Sequence, residues 1–238
     1  MTIQRHERQN NELRKIEIIS YYTKYAEGSV LIKFGNTHVL CNASIIHKVP
    51  PHAKEKSEGW ITAEYSMLPR ATNSRTDRES SKGKQTGRTQ EIQRLIGRSL
   101  RSAINLKDIC GYAIHIDCDV IQADGGTRTA SITGGWIALV HAIQYMYNNK
   151  LIANMPNIKQ IAAVSIGILN QEVRLDLNYA EDSSCDTDLN LVMNSDGGII
   201  EIQATAEGQT FSKNDLIQMQ EIGEKGIYQL FKLQNSHI

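Results

Sequence analysis

The segment Asp119-Val-Ile-Gln-Ala-Asp-Gly-Gly-Thr-Arg-Thr-Ala-Ser-Ile-Thr-Gly134 leads from the end of an apolar strand, through a tight glycine turn, into a helix rich in small residues. A strand followed by a glycine turn and a helix start directs free backbone N–H groups toward an anion. The hydroxyl of Thr127 and the guanidinium of Arg128 stand at the same helix start. The segment therefore predicts a phosphate-binding corner between Asp124 and Arg128.

Composition limits the class of protein without indicating a partner. The chain has 238 residues, 40% of them hydrophobic, and can bury a substantial core. Its 26 basic residues balance 26 acidic ones, so net charge favours no ligand class. The N-terminus is polar, and no apolar run approaches the ~20 residues of a membrane helix, so we expect a cytoplasmic protein without a membrane contact. The four cysteines form no metal motif and are expected to be buried free thiols.

The spacing of apolar residues predicts an α+β fold in which helices are layered on mixed β-sheets. After a polar arm at 1–14, the turn Gly35-Asn36 divides two β-rich runs and predicts a hairpin at 28–44. Helical spacing begins at Thr89, and a second helix follows the glycine turn as far as Asn148. Single strands are predicted at 16–22, 60–68 and 112–120.

The last third of the chain repeats the hairpin pattern twice before a closing helix. The turns are predicted at Asn170-Gln171 and at 194–197, and the closing helix runs from Ser212 to about Leu230. These units resemble one another and the hairpin at 28–44. We therefore predict a duplicated β-β-α pattern within a single domain of residues 1–238.

Residues 70–101 are strongly basic within an otherwise neutral chain. They hold nine basic residues against three acidic ones. The first half, 72–86, is almost wholly polar and predicts a loop, whereas the second half is an amphipathic helix. So local an excess of positive charge favours a polyanionic partner. A solvated loop beside an ordinary helix would produce the same composition, and charge alone leaves both interpretations open.

The connection Glu181-Asp-Ser-Ser-Cys-Asp-Thr-Asp188 is rich in carboxylates. Asp182 and Asp188 stand six residues apart and could converge, either to hold Mg²⁺ or Mn²⁺ or to let one of them act as a general acid. Acidic loops are usually only solvated, but cationic groups and paired carboxylates together are the components of phosphoryl transfer. Between these carboxylates, the thiolate of Cys185 should be disfavoured.

Several other mechanisms lack their sequence motifs. Gly83-Lys84 is followed by Gln85 and lacks the upstream glycine of a P-loop. The patterns G-x-G-x-x-G, G-x-S-x-G and H-E-x-x-H are absent from the sequence, and its seven histidines show no metal-binding spacing. Nucleotide-binding P-loops, serine hydrolases and zinc proteases of these kinds are therefore excluded.

Long runs of this sequence resemble the bacterial ribonuclease PH family, phosphorolytic exoribonucleases that trim the 3′ ends of transfer RNA. The similarity extends over nearly the whole chain. The arm at 5–11, Ala204 and the tail after about Gly226 depart from the family pattern. The matching runs are residues 24–37, 59–72, 83–101, 116–131 and 181–190.

The resemblance implies a role for each matching position. Asp182 and Asp188 would be the catalytic carboxylates, holding a divalent metal, Mg²⁺ or Mn²⁺, or assisting departure of the RNA 3′-oxygen. Inorganic phosphate would be the co-substrate, and it would be bound by Arg88, Gly126, Thr127 and Arg128. Arg94 would lie near the scissile phosphate, and Arg70, Arg75 and Arg78 would contact the transfer RNA stem.

The physical chemistry of phosphorolysis agrees with that assignment. Two phosphate groups lie side by side, so several arginines are needed to offset their repulsion. Phosphate is already an oxyanion at neutral pH, so positioning and charge neutralisation can supply most of the acceleration without a histidine base. The family also implies a homohexamer, a trimer of dimers, that acts on transfer RNA precursor 3′ ends. Two alternatives remain: a non-catalytic RNA-binding subunit of a ring assembly, and a metal-dependent hydrolase that uses water.

Overall fold

Two β-sheets and six α-helices make up the part of the chain that the structure describes, namely residues 5, 8–207 and 209–238 of a computed structural model. Part of the N-terminal arm predicted at 1–14 lies outside these residues. None of the helices in this part combines the length and the apolar character needed to span a bilayer.

The first sheet contains five strands, β1 (Ile16–Ser20), β2 (Gly28–Phe34), β3 (Thr37–Ile46), β4 (Trp60–Met67) and β5 (Ala113–Gln122). Their order is β1-β2-β3-β5-β4. Neighbouring strands are antiparallel, except that β4 runs parallel to β5. The predicted turn joins β2 to β3, with Gly35 at a φ of +54°. The sheet is therefore mixed, as the sequence predicts.

The second sheet is antiparallel and contains four strands, β6 (Ile161–Leu169), β7 (Glu172–Leu175), β8 (Thr187–Asn194) and β9 (Ile199–Ala206). Their order is β7-β6-β8-β9. The hairpin β6-β7 turns at Asn170 and Gln171, both with positive φ. Both hairpins predicted for the last third of the chain are confirmed.

The helices differ greatly in length. Four of them are α1 (Pro51–Glu55), α2 (Glu79–Lys82), α3 (Gly87–Arg101) and α4 (Thr127–Asn148). The other two are α5 (Tyr179–Asp182) and α6 (Lys213–Asn235), and a 3₁₀ turn occupies Leu106–Ile109. Helix α4 contacts β2, β3 and β5 of the first sheet as well as β6 of the second, whereas α6 packs on the second sheet. Helix α4 therefore connects the two halves of the core.

Small residues allow α4 to lie close to the first sheet. A β-carbon at Gly134 would lie 2.7 Å from Cγ2 of Ile32 and 3.0 Å from the sulfur of Cys41. Burial alternates along β3, so Val39 and Cys41 face this helix side of the sheet. The burial of apolar surface on both sides of α4 is the dominant favourable term in holding the fold together.

The predicted α+β class is confirmed, and each sheet is followed in the chain by a long helix, α4 or α6. The short helices were not predicted. Helix α1 lies between the predicted hairpin and the strand predicted at 60–68, α2 interrupts the loop predicted at 72–86, and α5 overlaps the start of the connection at 181–188. Helices of four or five residues are too short to show periodicity, and α5 depends instead on a capping box formed by Asn178 and Glu181.

Candidate active site

A cleft of about 1030 Å³ lies where segments from both sheets meet. Its walls come from the β5–α4 corner, the loop after β4, the start of α3, and the segment from α5 into β8. The cleft brings together seven of the residues that the sequence analysis selected, which are Arg70, Arg88, Gly126, Thr127, Arg128, Asp182 and Asp188. Predicted phosphate-binding groups and predicted carboxylates therefore line the same space.

The glycine turn adopts the backbone that the sequence predicts. Gly125 and Gly126 have φ values of +76° and +66°, in the left-handed region that glycine enters without strain. Gly126 is the N-cap residue of α4, and no side chain among the described residues caps this helix end. The N–H groups of the first turn are thus available to an anion, as expected of a phosphate-binding corner.

Thr127 lies in this corner beside a residue that the sequence analysis did not select. The hydroxyls of Thr127 and Tyr65 lie 2.8 Å apart. Burial raises the pKa of the Tyr65 phenol, and the hydrogen bond to Thr127 lowers it only in part. Tyr65 thus keeps its proton and can donate to Thr127, which leaves the Thr127 hydroxyl free to donate to a bound phosphate.

Arg128 is oriented by side chains from two other elements. Its Nη1 lies 3.0 Å from Oε1 of Glu91 on α3 and 2.7 Å from Oε1 of Gln203 on β9. Both contacts use Nη1, and a guanidinium carries five N–H donors, so Nε and Nη2 can still donate to a phosphate. Gln203 lies outside the matching runs. Glu91 lies inside the run at 83–101, but nothing in the sequence indicates that it contacts Arg128.

Arg88 approaches the cleft from the N-terminus of α3. The hydroxyl of Thr86 accepts a hydrogen bond from the N–H of Thr89 and caps the helix at this end. Arg88 is exposed in the wall of the cleft. Its charge and that of Arg128 both lower the pKa of Asp182, which places both guanidinium groups within electrostatic range of the carboxylates.

Asp182 ends α5, and Asp188 is the second residue of β8. Burial and the charge of Asp188 raise the pKa of Asp182 above its usual value, despite the opposing charges of the two arginines. Burial and the charge of Glu207 likewise raise the pKa of Asp188. The two carboxylates therefore repel each other and lie in a partly desolvated environment, as groups that hold a cation or a proton would.

A divalent cation fits the chemistry of these two side chains. Mg²⁺ is commonly bound through one or two carboxylates together with substrate phosphates and water. Within residues 5, 8–207 and 209–238, no group of three or more His, Cys, Asp and Glu side chains has the arrangement of a metal site. Asp182 and Asp188 would thus hold a metal only together with other oxygen ligands.

Glu207 and Cys185 lie close to the two aspartates. Glu207, which the sequence analysis did not select, lines the cleft and raises the pKa of both aspartates. Cys185 is buried beneath them, and burial together with the charges of Asp182 and Asp188 raises its pKa to about 12. The prediction that its thiolate is disfavoured is confirmed. Contrary to expectation, Cys110 is exposed, because it ends a surface 3₁₀ turn.

The residues predicted to bind RNA divide into two groups. Arg70 is exposed and lines the cleft. Arg75, Arg78 and Arg94 are exposed outside the cleft. Arg75 lies 3.0 Å from Asp77 in an ion pair that is more than half exposed. Exposed pairs of this kind contribute little stability, so Arg75 can exchange this partner for a phosphate.

An aromatic side chain in the cleft was also missed. Tyr179 opens α5 and is 61% exposed, although it lines the cleft. Its backbone N–H donates to Oδ1 of Asp124 at 3.1 Å, which ties α5 to the glycine turn. An exposed aromatic ring beside the arginines of the cleft offers a stacking surface to a nucleobase.

Comparison with known proteins accounts for this arrangement. The model of the 3′ exoribonuclease family, domain 1, matches residues 12–143, and the model of domain 2 of the same family matches residues 159–226. The chain belongs to the ribonuclease PH family of 3′ exoribonucleases. The phosphate-binding corner lies in the region that matches domain 1, and Asp182 and Asp188 lie in the region that matches domain 2.

Solved structures with a fold similar to that of this chain include two exosome structures. Rice (Oryza sativa) Rrp46 is 19% identical, with a TM-score of 0.77 over 96% of this chain and 97% of that one. The Archaeoglobus fulgidus exosome with RNA bound to the active site is 20% identical, with a TM-score of 0.78 over 94% and 90%. An archaeal exosome core is 18% identical, with a TM-score of 0.74 over 96% and 89%. At these identities the similarity shows a shared fold.

Proposed function

We propose that this protein is a phosphate-dependent 3′-to-5′ exoribonuclease that trims transfer RNA precursors. One observation carries the proposal: the phosphate-binding corner and the paired carboxylates, more than fifty residues apart in the chain, line one cleft. A corner alone would indicate only anion binding. The carboxylates beside it indicate that the bound anion reacts.

The reaction requires two phosphate groups in close proximity. The N–H groups at Gly126 and Thr127, with Arg88 and Arg128, would hold inorganic phosphate. An oxygen of that phosphate attacks the phosphorus of the last phosphodiester. The bond from this phosphorus to the 3′-oxygen of the preceding nucleotide breaks, and a nucleoside 5′-diphosphate leaves. The shortened RNA takes up a proton on its 3′-oxygen.

Charge neutralisation and orientation would supply the acceleration. The guanidinium groups of Arg88 and Arg128 offset the repulsion between the two phosphates, and the contacts of Arg128 with Glu91 and Gln203 orient it before substrate binds. Asp182 and Asp188 would hold a divalent cation, Mg²⁺ or Mn²⁺, or pass a proton to the 3′-oxygen. When bound, such a cation would stabilise negative charge on the leaving oxygen.

RNA would be held mainly through its backbone. Arg70 in the cleft, with Arg75 and Arg78 along the same exposed segment, would contact the transfer RNA stem, and Arg94 would lie close to the scissile phosphate. Contacts to phosphates position the substrate without reading its sequence. The proposal includes a homohexamer, a trimer of dimers, acting on transfer RNA in the cytoplasm.

The decisive experiment is incubation with a 3′-extended transfer RNA in the presence and absence of inorganic phosphate. Release of nucleoside diphosphates only when phosphate is present supports the proposal. Release of nucleoside monophosphates at the full rate without phosphate would identify a metal-dependent hydrolase instead.

The solved structures favour a second function over transfer RNA trimming. Two of them are exosome structures, from Archaeoglobus fulgidus and of an archaeal exosome core. A non-catalytic RNA-binding subunit of a ring assembly would have the same fold. In the same incubation it would retain RNA without releasing any nucleotide.

A further inference from the structure

Arg14 and Asp176 form a buried, bidentate ion pair. Nη2 of Arg14 lies 2.7 Å from Oδ1 of Asp176, and both Nε and the backbone N–H of Arg14 donate to Oδ2, at 3.1 and 2.7 Å. Arg14 is 9% exposed and Asp176 is 1% exposed. Arg14 lies just before β1 and Asp176 just after β7, so the pair joins the two sheets. Charge-assisted pairs with this fork geometry restrict both partners to one orientation.

The same guanidinium also holds the glycine turn. Nη1 of Arg14 donates to the carbonyl of Asp124 at 2.5 Å, and Nη2 donates to the carbonyl of Gly125 at 3.3 Å. These two bonds fix the orientation of both peptide units of the turn. The backbone N–H groups that follow in α4 are left to face the cleft.

Thr37, at the start of β3, completes the attachment of the turn. Its hydroxyl donates to the carbonyl of Gly125 at 2.6 Å and accepts from the N–H of Asp124 at 3.0 Å. It also accepts from Nη1 of Arg14 at 3.3 Å. Thr37 is fully buried. Each polar atom of this hydroxyl is therefore engaged, and removing it would leave buried backbone groups without a partner.

On the other side, Asp176 determines the path of the chain toward the catalytic carboxylate. Asp176 has a φ of +54°, and its N–H donates to the carbonyl of Ser165 at 2.6 Å. The next residue, Leu177, donates its N–H to the hydroxyl of Ser165 at 3.1 Å. Six residues after Asp176, α5 ends at Asp182. The position of Asp182 relative to the turn thus depends on how Asp176 is held.

We propose that Arg14, Thr37 and Asp176 are positioning residues. They hold the phosphate-binding corner at a fixed distance from the carboxylates of Asp182 and Asp188. None of the three is expected to touch phosphate or RNA. The inference rests on the proposed function and adds which residues set the distance between the two halves of the site. A misplacement of about 1 Å between reacting groups can cost roughly a hundredfold in rate, so such a clamp would govern turnover.

The effect of the pair on the site is geometric. Asp176 also lies 3.7 Å from Nη1 of Arg8, so two guanidinium groups already engage its carboxylate, and Asp176 does not line the cleft. A buried pair of this kind is a weak source of stability compared with apolar packing. Its consequence for the site is the fixed distance between the turn and α5.

Thr37→Val tests the proposal with little change of volume, and Thr133→Val is its matched control. Thr133 is also fully buried. Its hydroxyl donates to the carbonyl of Thr129 at 3.0 Å and accepts from the N–H of Ala163 at 3.1 Å, within α4 and β6 and away from the cleft. The two substitutions remove comparable hydrogen bonds. We expect comparable losses of thermal stability.

Their effects on catalysis should differ. Thr37→Val should raise the KM for phosphate and lower kcat, so that kcat/KM falls about tenfold, the equivalent of roughly one lost buried hydrogen bond. Thr133→Val should leave both constants near those of the parent protein. Arg14→Lys, which keeps the charge but loses the fork, should resemble Thr37→Val.

Amide hydrogen exchange gives a readout that does not require turnover. Thr37→Val should accelerate exchange in residues 124–129 and 177–182 together, whereas Thr133→Val should not. Equal exchange and equal phosphate KM in the two variants would overturn the clamp. If the parent protein releases no nucleoside diphosphates but the exchange pattern holds, the proposed function fails and the clamp stands as a structural device.

Discussion

Gly125 and Leu177 approach so closely that a β-carbon on residue 125 would lie 2.5 Å from the carbonyl oxygen of Leu177. Gly125 belongs to the phosphate-binding corner, and Leu177 leads into α5, which ends at Asp182. This contact places the two halves of the candidate site against each other. Any side chain at residue 125 would separate them.

Gly125→Ala should therefore damage both stability and activity. Gly125 has a φ of +76°, so alanine there costs ~1–2 kcal/mol in backbone strain alone. The collision with Leu177 adds to that cost and displaces α5. Gly111→Ala is the matched control, since Gly111 has a φ of +85° and a β-carbon added there would meet none of the described residues within 4 Å. Thermal unfolding and phosphate-dependent RNA degradation measure the difference, and equal losses in the two variants would refute the close-contact argument.

Asp188→Asn should abolish turnover and leave RNA binding largely intact. The amide keeps the shape of the side chain but lacks the negative charge that attracts a divalent cation, and it cannot carry a proton to the leaving oxygen. Asp186→Asn serves as the control because Asp186 is exposed in the same connection and does not line the cleft. Nucleoside diphosphate release and RNA retention on a filter are the measurements. Retained activity in Asp188→Asn would remove this residue from the catalytic role.

Arg128→Ala should chiefly raise the phosphate requirement. Loss of hydrogen bonds from a charged donor is worth about 1.5–3 kcal/mol, so the KM for phosphate should rise roughly tenfold to a hundredfold. Arg98→Ala is a suitable control. Arg98 also joins α3 to β9, through Glu201 at 2.7 Å, but its side chain is 59% exposed and outside the cleft. An unchanged phosphate dependence in Arg128→Ala would contradict its assignment.

Arg75→Ala should weaken binding of transfer RNA. The slope of the logarithm of the binding constant against the logarithm of the salt concentration should become shallower by about one. The reason is the loss of one phosphate contact and of the counterion that it displaces. Lys107→Ala, a change at an exposed lysine outside the basic segment, should leave the slope unaltered. Equal weakening of transfer RNA and of a short single-stranded oligonucleotide would show that Arg75 does not contact the stem.

Cys185 should resist alkylation at neutral pH, whereas Cys110 should react. The thiolate is the reactive form, and the pKa of Cys185 is raised to about 12 by burial and by Asp182 and Asp188. Cys110 is exposed, while Cys41 and Cys118 are buried with Cys185. Mass spectrometry after brief iodoacetamide treatment should find the label on Cys110, and Cys110→Ser should remain unlabelled until the protein is denatured. Rapid labelling of Cys185 in the folded protein would show that its surroundings are more open.

Features that depend only on residues adjacent in the chain were predictable from the sequence. The turn at Gly125 and Gly126 and the helix that follows are determined by local backbone preference, because glycine alone enters the left-handed region freely. The alternation along β3 likewise shows in the sequence, because the side-chain period of a strand is two. Helix α5 escaped prediction because its four residues are held by a capping box and show no period.

The partners of the site residues escaped for a different reason. Gln203 and Glu207 lie outside the matching runs, and the runs that contain Tyr65 and Glu91 do not indicate what these side chains contact. Each of the four meets the site only because strands and helices distant in sequence pack together. Their positions depend on sheet order and helix packing, which one sequence does not specify locally.

The sequence by itself determined the two chemical halves of this protein: a corner built to bind an anion, and a pair of carboxylates on one short connection. Only the tertiary structure decided that they form one site. The reason is that their distance depends on long-range contacts, the approach of Gly125 to Leu177 and the ion pair of Arg14 with Asp176, and these contacts exist only once both sheets have assembled.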